Sequence, residues 1–175
     1  MSVGPARGAI FFDRDGVLNE DRGFVHRIED FRWIDGAREA VRLVNQAGLL
    51  AIVATNQSGV ARGLYGEDEV RRLHEWMAGD LAAFGARIDA FYYCPYHESG
   101  SDPRYAVADH PDRKPNPGMI LRAMRDLSID PARALIIGDR ESDLAAGRNA
   151  GIGGRLFEGG SLAETVREVL AGLAR

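Results

Sequence analysis

Short, continuous apolar runs alternate with longer amphipathic segments along most of this chain, and this alternation constrains the fold more than any other feature. The runs are predicted strands at residues 9–12, 49–54, 88–93, 135–137 and 152–157. Unbroken apolar runs of this length indicate strands that are buried on both faces. The predicted helices lie at residues 35–46, 67–84, 117–127, 142–150 and 162–173. The pattern predicts an α/β protein whose parallel sheet carries helices on both faces.

Length and composition predict one globular domain over residues 1–175. The formal net charge of −4 disfavours a nucleic-acid partner, because such proteins usually carry a basic patch. Neither a signal peptide nor an apolar run of the ~20 residues that a membrane span needs is present. A single cysteine, Cys94, excludes an internal disulfide and fits the cytoplasm. We therefore expect a cytoplasmic monomer with no nucleic-acid or membrane partner. Separately, we expect the His74 side chain to lie on the exposed side of its helix.

Polar residues follow the predicted strands or open the helices after them. They are Asp13 and Asp15 after the first strand, Thr55 and Asn56 after the second, Lys114 before a helix, and Asp139 and Asp143 at the fourth. In parallel sheets, ligands bind beyond the carboxyl ends of the strands, where the strand order reverses. We expect these side chains to meet at one edge of the sheet.

The residue types at this edge suit phosphate-ester hydrolysis. In an extended Asp-x-Asp segment alternate side chains point the same way, so Asp13 and Asp15 are predicted to face one pocket. Asp13 would attack phosphorus and form an aspartyl-phosphate, and Asp15 would be the general acid and base. Lys114 would neutralise phosphoryl oxygens, and Thr55 would donate a hydroxyl.

Two carboxylates beside a phosphate dianion need a cation, and Mg²⁺ suits a few carboxylates with substrate oxygens. Asp139 is the predicted third protein group. Asp143 has two interpretations, which remain open: it orients a metal-bound water or Lys114, or it is a first-turn acid that the helix dipole favours. Two interpretations of Arg62 also remain open: it is a surface charge, or it contacts the substrate.

Four segments resemble the signatures of the haloacid-dehalogenase superfamily. They are Phe12–Asn19, Thr55–Gly59, Arg113–Pro115, and Gly138–Asp139 with Asp143. The resemblance implies a Rossmann-like fold. Because little more than one helix-strand unit and a loop separate the signatures, we expect no cap domain.

Three further stretches resemble the histidinol-phosphate and heptose-bisphosphate phosphatase branch, and the heptose enzymes more closely. They are Gly23–His26 with Phe31–Gly36, Thr55–Gly63, and Tyr92–Pro95. The resemblance implies a phosphosugar substrate, foremost heptose 1,7-bisphosphate, on a carbohydrate pathway to lipopolysaccharide or capsule precursors. Histidinol phosphate is the alternative substrate.

The same resemblance implies a role for each site residue. Asp13 is the nucleophile, Asp15 the acid and base, and Arg113 a substrate contact. Phosphate ligands are Thr55, Asn56, Gln57 and Lys114. Magnesium is held by Asp13, the Asp15 carbonyl and Asp139. A non-catalytic phosphoryl-binding scaffold is the alternative from another class, although every catalytic position is filled.

The chain departs from this branch at its zinc loop. The family usually has Cys-x-His and Cys-x-Cys pairs, whereas here Tyr96 stands at the His position and His110 and Asp112 stand at the Cys-x-Cys positions. We expect that zinc is absent. The alternative is a mixed site of Cys94, His97, His110 and Asp112, since all four are zinc-ligand types.

Overall fold

The computed structural model describes residues 6–174, so residues 1–5 and 175, which the domain and signal-peptide predictions include, lie outside it. The elements alternate along the chain. They are β1 (Arg7–Phe12), α1 (Ala37–Gln46), β2 (Leu50–Asn56), α2 (Glu67–Phe84), β3 (Ala90–Cys94), α3 (Gly118–Leu127), β4 (Ile129–Gly138), α4 (Glu141–Ala150), β5 (Gly153–Leu156) and α5 (Leu162–Leu173). A short 3₁₀ helix, Ile28–Asp30, lies in the loop after β1.

The five strands form one parallel sheet in the order β3-β2-β1-β4-β5. The chain runs outward from β1 through β2 to β3 and then crosses to β4 on the other side of β1. The strand order therefore reverses between β1 and β4, which is where such folds bind ligands.

Each face of the sheet is covered by helices, as the continuous apolar strands predicted. On one face Ile10 and Phe12 of β1 belong to a buried cluster with residues of α1, α2 and α5. On the other face Ala9 and Phe11 belong to a cluster with residues of α3 and α4. All four of these strand residues are fully buried. Their packing fixes where the loop after β1 begins and the direction in which it leaves the sheet.

The predicted elements are all present, and the bounds of α2 and α5 match the prediction. The largest difference is β4, which begins at Ile129 rather than at residue 135. Its pairing with β1 shifts between Arg7↔Ile129 and Ala9↔Ala134. The intervening residues are partly or fully exposed and include Pro131, so the bulged half of the strand lacks the apolar pattern on which the prediction depended.

The expectation for His74 was wrong. Its side chain is buried, with 4% exposed, because its ring stacks on Phe91 of β3 at 4.6 Å between centroids. Within residues 6–174, the segments between the signature motifs hold loops and the elements already described, and no inserted cap. No helix among the described residues has the length and apolarity to cross a bilayer.

Candidate active site

The polar residues after β1 and β4 are brought together because these strands are neighbours in the sheet. The Asp13 backbone N–H donates to the Ile137 carbonyl at 3.0 Å, which continues the ladder one residue beyond β1. Gly16 then turns the chain with a φ of 89°. A Cβ at this position would lie 2.2 Å from an Asp139 carboxylate oxygen. Glycine is therefore required both for the turn and for the approach of the two loops.

Three carboxylates converge at this point. Ligand atoms of Asp13, Asp139 and Asp143 lie within 4.8 Å of one another, the one such group of three or more acidic, His or Cys residues in the described part of the chain. Burial and the Asp143 charge raise the pKa of Asp139. Burial likewise raises the pKa of Asp13 to about 7, against the opposing effect of Lys114. The carboxylates therefore repel one another, and a divalent cation would relieve that repulsion.

One oxygen of the group, Asp139 Oδ1, is buried and accepts no hydrogen bond. A buried acceptor without a partner is unfavourable unless a ligand completes it. Carboxylate oxygens are what Mg²⁺ prefers. Asp13 and Asp139 therefore fit the predicted magnesium site, and Asp143 lies beside them.

Lys114 lies between two of these acids. Its side chain is 3% exposed, and Nζ lies 2.9 Å from Asp13 Oδ1 and 2.6 Å from Asp143 Oδ1. It also donates to the Ala54 carbonyl at 2.7 Å. Burial opposes the charge on Lys114, but the two carboxylates outweigh burial and raise its pKa. The lysine is a fixed positive charge beside the predicted nucleophile.

Asp143 contacts both Lys114 and the start of α4. Oδ1 contacts Lys114, and Oδ2 accepts from the backbone N–H of Arg140 at 3.1 Å, which caps the first turn of α4. The helix start thus holds the carboxylate that positions the lysine.

Asn56 supports the lysine from the neighbouring strand. Its amide donates to the Lys114 carbonyl at 3.1 Å and accepts from the Lys114 N–H at 3.0 Å. These bonds fix the Lys114 backbone opposite the end of β2. Thr55 is buried, with 1% exposed, and its hydroxyl accepts from Gln57 at 2.9 Å.

The Asp15 carboxylate is held apart from the other three acids by a set of donors. Arg14 lies 3.1 and 3.2 Å from its two oxygens, Asn19 donates to Oδ1 at 3.0 Å, and Gln57 donates to Oδ2 at 2.9 Å. Burial raises the pKa of Asp15, but Arg14 and the hydrogen bonds outweigh it, and the pKa is lowered. Asp15 is therefore ionised in the free protein.

A cavity of about 390 Å³ opens at this site. Of the predicted site residues it is lined by Asp13, Asp15, Asn56, Gln57, Arg113, Lys114 and Asp143. Arg62, which the sequence left open, also lines it, as do Tyr65 and Arg140, which sequence reasoning missed. Tyr65 donates to Gln57 at 2.7 Å. Arg140 lies next to Asp139 in the fourth signature, and that adjacency was the signal that could have identified it.

The four residues of the alternative zinc site are occupied by other contacts. Asp112 pairs with Arg122 at 2.6 Å, and its N–H donates to His110 Nδ1 at 3.0 Å. His97 lies 3.3 Å from Arg62. Cys94 is buried in the apolar cluster with α3 and α4, and burial raises its thiol pKa to about 11. The thiol is therefore protonated in the free protein.

Comparison with known proteins agrees with this geometry. Residues 112–170 match the family model described as HAD-hydrolase-like. A D-glycero-beta-D-manno-heptose-1,7-bisphosphate 7-phosphatase of Rhodopseudomonas palustris is 45% identical over 98% of this chain and 94% of its own length. A D-glycero-alpha-D-manno-heptose-1,7-bisphosphate 7-phosphatase of Burkholderia mallei is 48% identical over 85% of this chain and 78% of its own length.

A solved structure resembles the whole fold. It is the D,D-heptose 1,7-bisphosphate phosphatase from B. bronchiseptica complexed with magnesium and phosphate, with a TM-score of 0.79 and 31% identity. The match covers 94% of this chain and 99% of that one.

Proposed function

We propose that this chain removes one phosphate from a heptose 1,7-bisphosphate. The chain belongs to the D-glycero-D-manno-heptose-1,7-bisphosphate 7-phosphatase family of HAD-type phosphoric monoester hydrolases. The reaction is Mg²⁺-dependent and passes through a phosphorylated Asp13. The observation that carries the proposal is Lys114 Nζ, which bridges Asp13 and Asp143 beside the three-carboxylate group.

Asp13 is the nucleophile of the proposed reaction. Lys114 favours the ionised form of Asp13 and provides positive charge for the phosphoryl oxygens, where charge accumulates in the transition state. Asp13, Asp139 and the Asp15 carbonyl would hold Mg²⁺, which when bound would neutralise the charge of the carboxylates and the phosphate. Without nearby positive charge, the anionic nucleophile and the phosphate dianion would repel each other.

Asp15 transfers the protons. It donates one to the leaving sugar oxygen and later removes one from the water that cleaves the phosphorylated Asp13. The free protein holds Asp15 ionised, which suits the second step. A phosphate dianion entering the cavity places negative charge near Asp15 and increases its proton affinity, which suits the first step.

Two guanidinium groups support a substrate with a second anionic group. Arg62 and Arg113 both line the cavity that contains Asp13. Burial lowers the pKa of Arg113, and the Arg62 charge lowers it further. The two cations therefore disfavour each other in the empty cavity, and a second phosphate would relieve this repulsion.

A substrate panel tests the proposal. We expect hydrolysis of p-nitrophenyl phosphate with Mg²⁺ and none with EDTA, and a kcat/KM for heptose 1,7-bisphosphate at least tenfold above that for histidinol phosphate. The panel includes the alpha and beta anomers of the bisphosphate, because the names of the relatives specify one or the other. A tenfold preference for histidinol phosphate would reverse the substrate assignment, and well-folded protein without activity on any ester would favour a binding scaffold.

A further inference from the structure

Arg14 lies between the two catalytic aspartates and is fully buried, with 0% of its surface exposed. Its Nη2 contacts both oxygens of Asp15 and donates to the Val25 carbonyl at 2.5 Å. Nη2 also lies 3.4 Å from Gln57 Oε1. The ion pair at 3.1 Å joins a side chain with no exposure to one that is 21% exposed. A buried guanidinium is costly, so these contacts indicate a function beyond filling space.

His74 holds the other side of this guanidinium. Its Nε2 lies 3.3 Å from Arg14 Nη1. Burial, followed by the Arg14 charge, lowers the pKa of His74 to about 3, so the ring is neutral at physiological pH. Because Arg14 can only donate, a neutral ring can receive this hydrogen bond through an unprotonated Nε2. The stacking on Phe91 fixes the plane of the ring.

We infer that Arg14 is a positioning residue, oriented by the His74 ring, which fixes the Asp15 carboxylate for proton transfer to the leaving oxygen. The inference rests on the proposed function. His74 does not line the cavity, and it acts on Asp15 through its contact with Arg14. As the phosphorus–oxygen bond breaks, the proton on Asp15 moves to the leaving sugar oxygen, and Asp15 becomes a carboxylate that Arg14 already contacts.

The leaving group provides the test. A sugar alkoxide needs a proton as it leaves, whereas p-nitrophenolate leaves without one. The ratio kcat/KM reports steps up to phosphoryl transfer to Asp13, so hydrolysis of the intermediate does not affect it. A displaced Asp15 therefore lowers kcat/KM for heptose bisphosphate and spares it for p-nitrophenyl phosphate.

Two His74 variants separate positioning from packing. His74→Phe keeps a ring on Phe91 and removes the acceptor, and His74→Gln keeps an acceptor and removes the ring. We expect His74→Phe to lose about tenfold in kcat/KM on the sugar and under about threefold on p-nitrophenyl phosphate, with His74→Gln close to wild type. Equal losses on both substrates, or greater damage in His74→Gln, would show that the histidine only packs.

Arg14→Ala provides a second measurement. We expect a loss of about 100-fold on the sugar phosphate and partial recovery with added guanidinium, with no such recovery in Asp15→Ala. Folding is checked by circular dichroism. If Arg14→Ala does not fold, the comparison of His74→Phe with His74→Gln tests the inference. Exposed Arg125→Ala is the matched control. Failure of wild-type protein on both substrates would remove the proposed function and this inference together, whereas active wild type with uniform variant losses would remove the inference alone.

Discussion

At the scale of single residues, the candidate site depends on buried charges that compensate one another. Lys114 and Asp143 are each at most 4% exposed, and each would be unfavourable without its partner. Asp13, Lys114 and Asp139 were predictable because acids and a lysine at the ends of apolar strands are unusual. Arg14 and His74 were not. The burial of His74 on α2 depends on Phe91 of the neighbouring β3, and that of Arg14 depends on contacts with residues distant in the chain, such as His74.

Replacing Lys114 with Met tests this compensation. The variant leaves Asp13 and Asp143 without their shared cation, so we expect kcat/KM to fall by at least about 100-fold. Exposed Arg104→Met is the control, since it removes a surface pair with Asp102 and a contact with the Tyr105 ring. Turnover of Lys114→Met within threefold of wild type would show that the lysine does not act on the phosphoryl group.

The buried His74 predicts how stability depends on pH. Its pKa falls from 6.5 to about 3 on folding, so below pH 6.5 the unfolded chain binds a proton that the folded protein does not. The stability contribution is therefore complete above pH 6.5 and is lost as pH falls toward 3. Between pH 7.5 and 5, wild type should lose about 2 kcal/mol more unfolding free energy than His74→Gln. Urea titrations in EDTA at both pH values measure this difference, and parallel curves would contradict it.

At the scale of elements, the junction between β4 and α4 sets the geometry. Gly138 ends the strand, and a Cβ there would lie 2.1 Å from the Cβ of Asp143. The strand and the following helix were predicted from the apolar run at residues 135–137 and the helical segment at residues 142–150. The bulged first half of β4 was not, because residues 130–133 are partly or fully exposed and bury no apolar face.

Gly138→Ala is predicted to displace Asp143 from Lys114. We expect a loss of at least about tenfold in kcat/KM and a destabilisation of about 1–3 kcal/mol, typical of overpacking. Gly79→Ala is the matched control, since Gly79 lies within α2 with open space around it and should gain up to about 1 kcal/mol. Wild-type activity in Gly138→Ala would show that this close approach is unnecessary.

At the scale of the whole molecule, two apolar layers hold β1 and β4 side by side. The helical layers on both faces of the sheet were predictable from the alternation of elements alone. The order of the strands was not, because nothing in a buried apolar run specifies its neighbour. We propose that the chain folds as one domain, since helices from both halves of the sequence cover the same sheet. A single transition in calorimetry, with equal calorimetric and van't Hoff enthalpies, is the expected result, and two separable transitions would contradict it.

The central claim is that Asp13 receives the phosphoryl group, and a trapping experiment tests it most directly. Asp15→Asn, which lacks the base for hydrolysing the intermediate, is mixed with p-nitrophenyl phosphate and Mg²⁺, quenched in acid, reduced with borohydride and mapped by peptide mass spectrometry. We predict Mg²⁺-dependent conversion of residue 13 to homoserine, the product of a reduced acyl phosphate, and none in Asp13→Asn. A label on a different residue, or a burst of p-nitrophenol with residue 13 unmodified, would contradict the account.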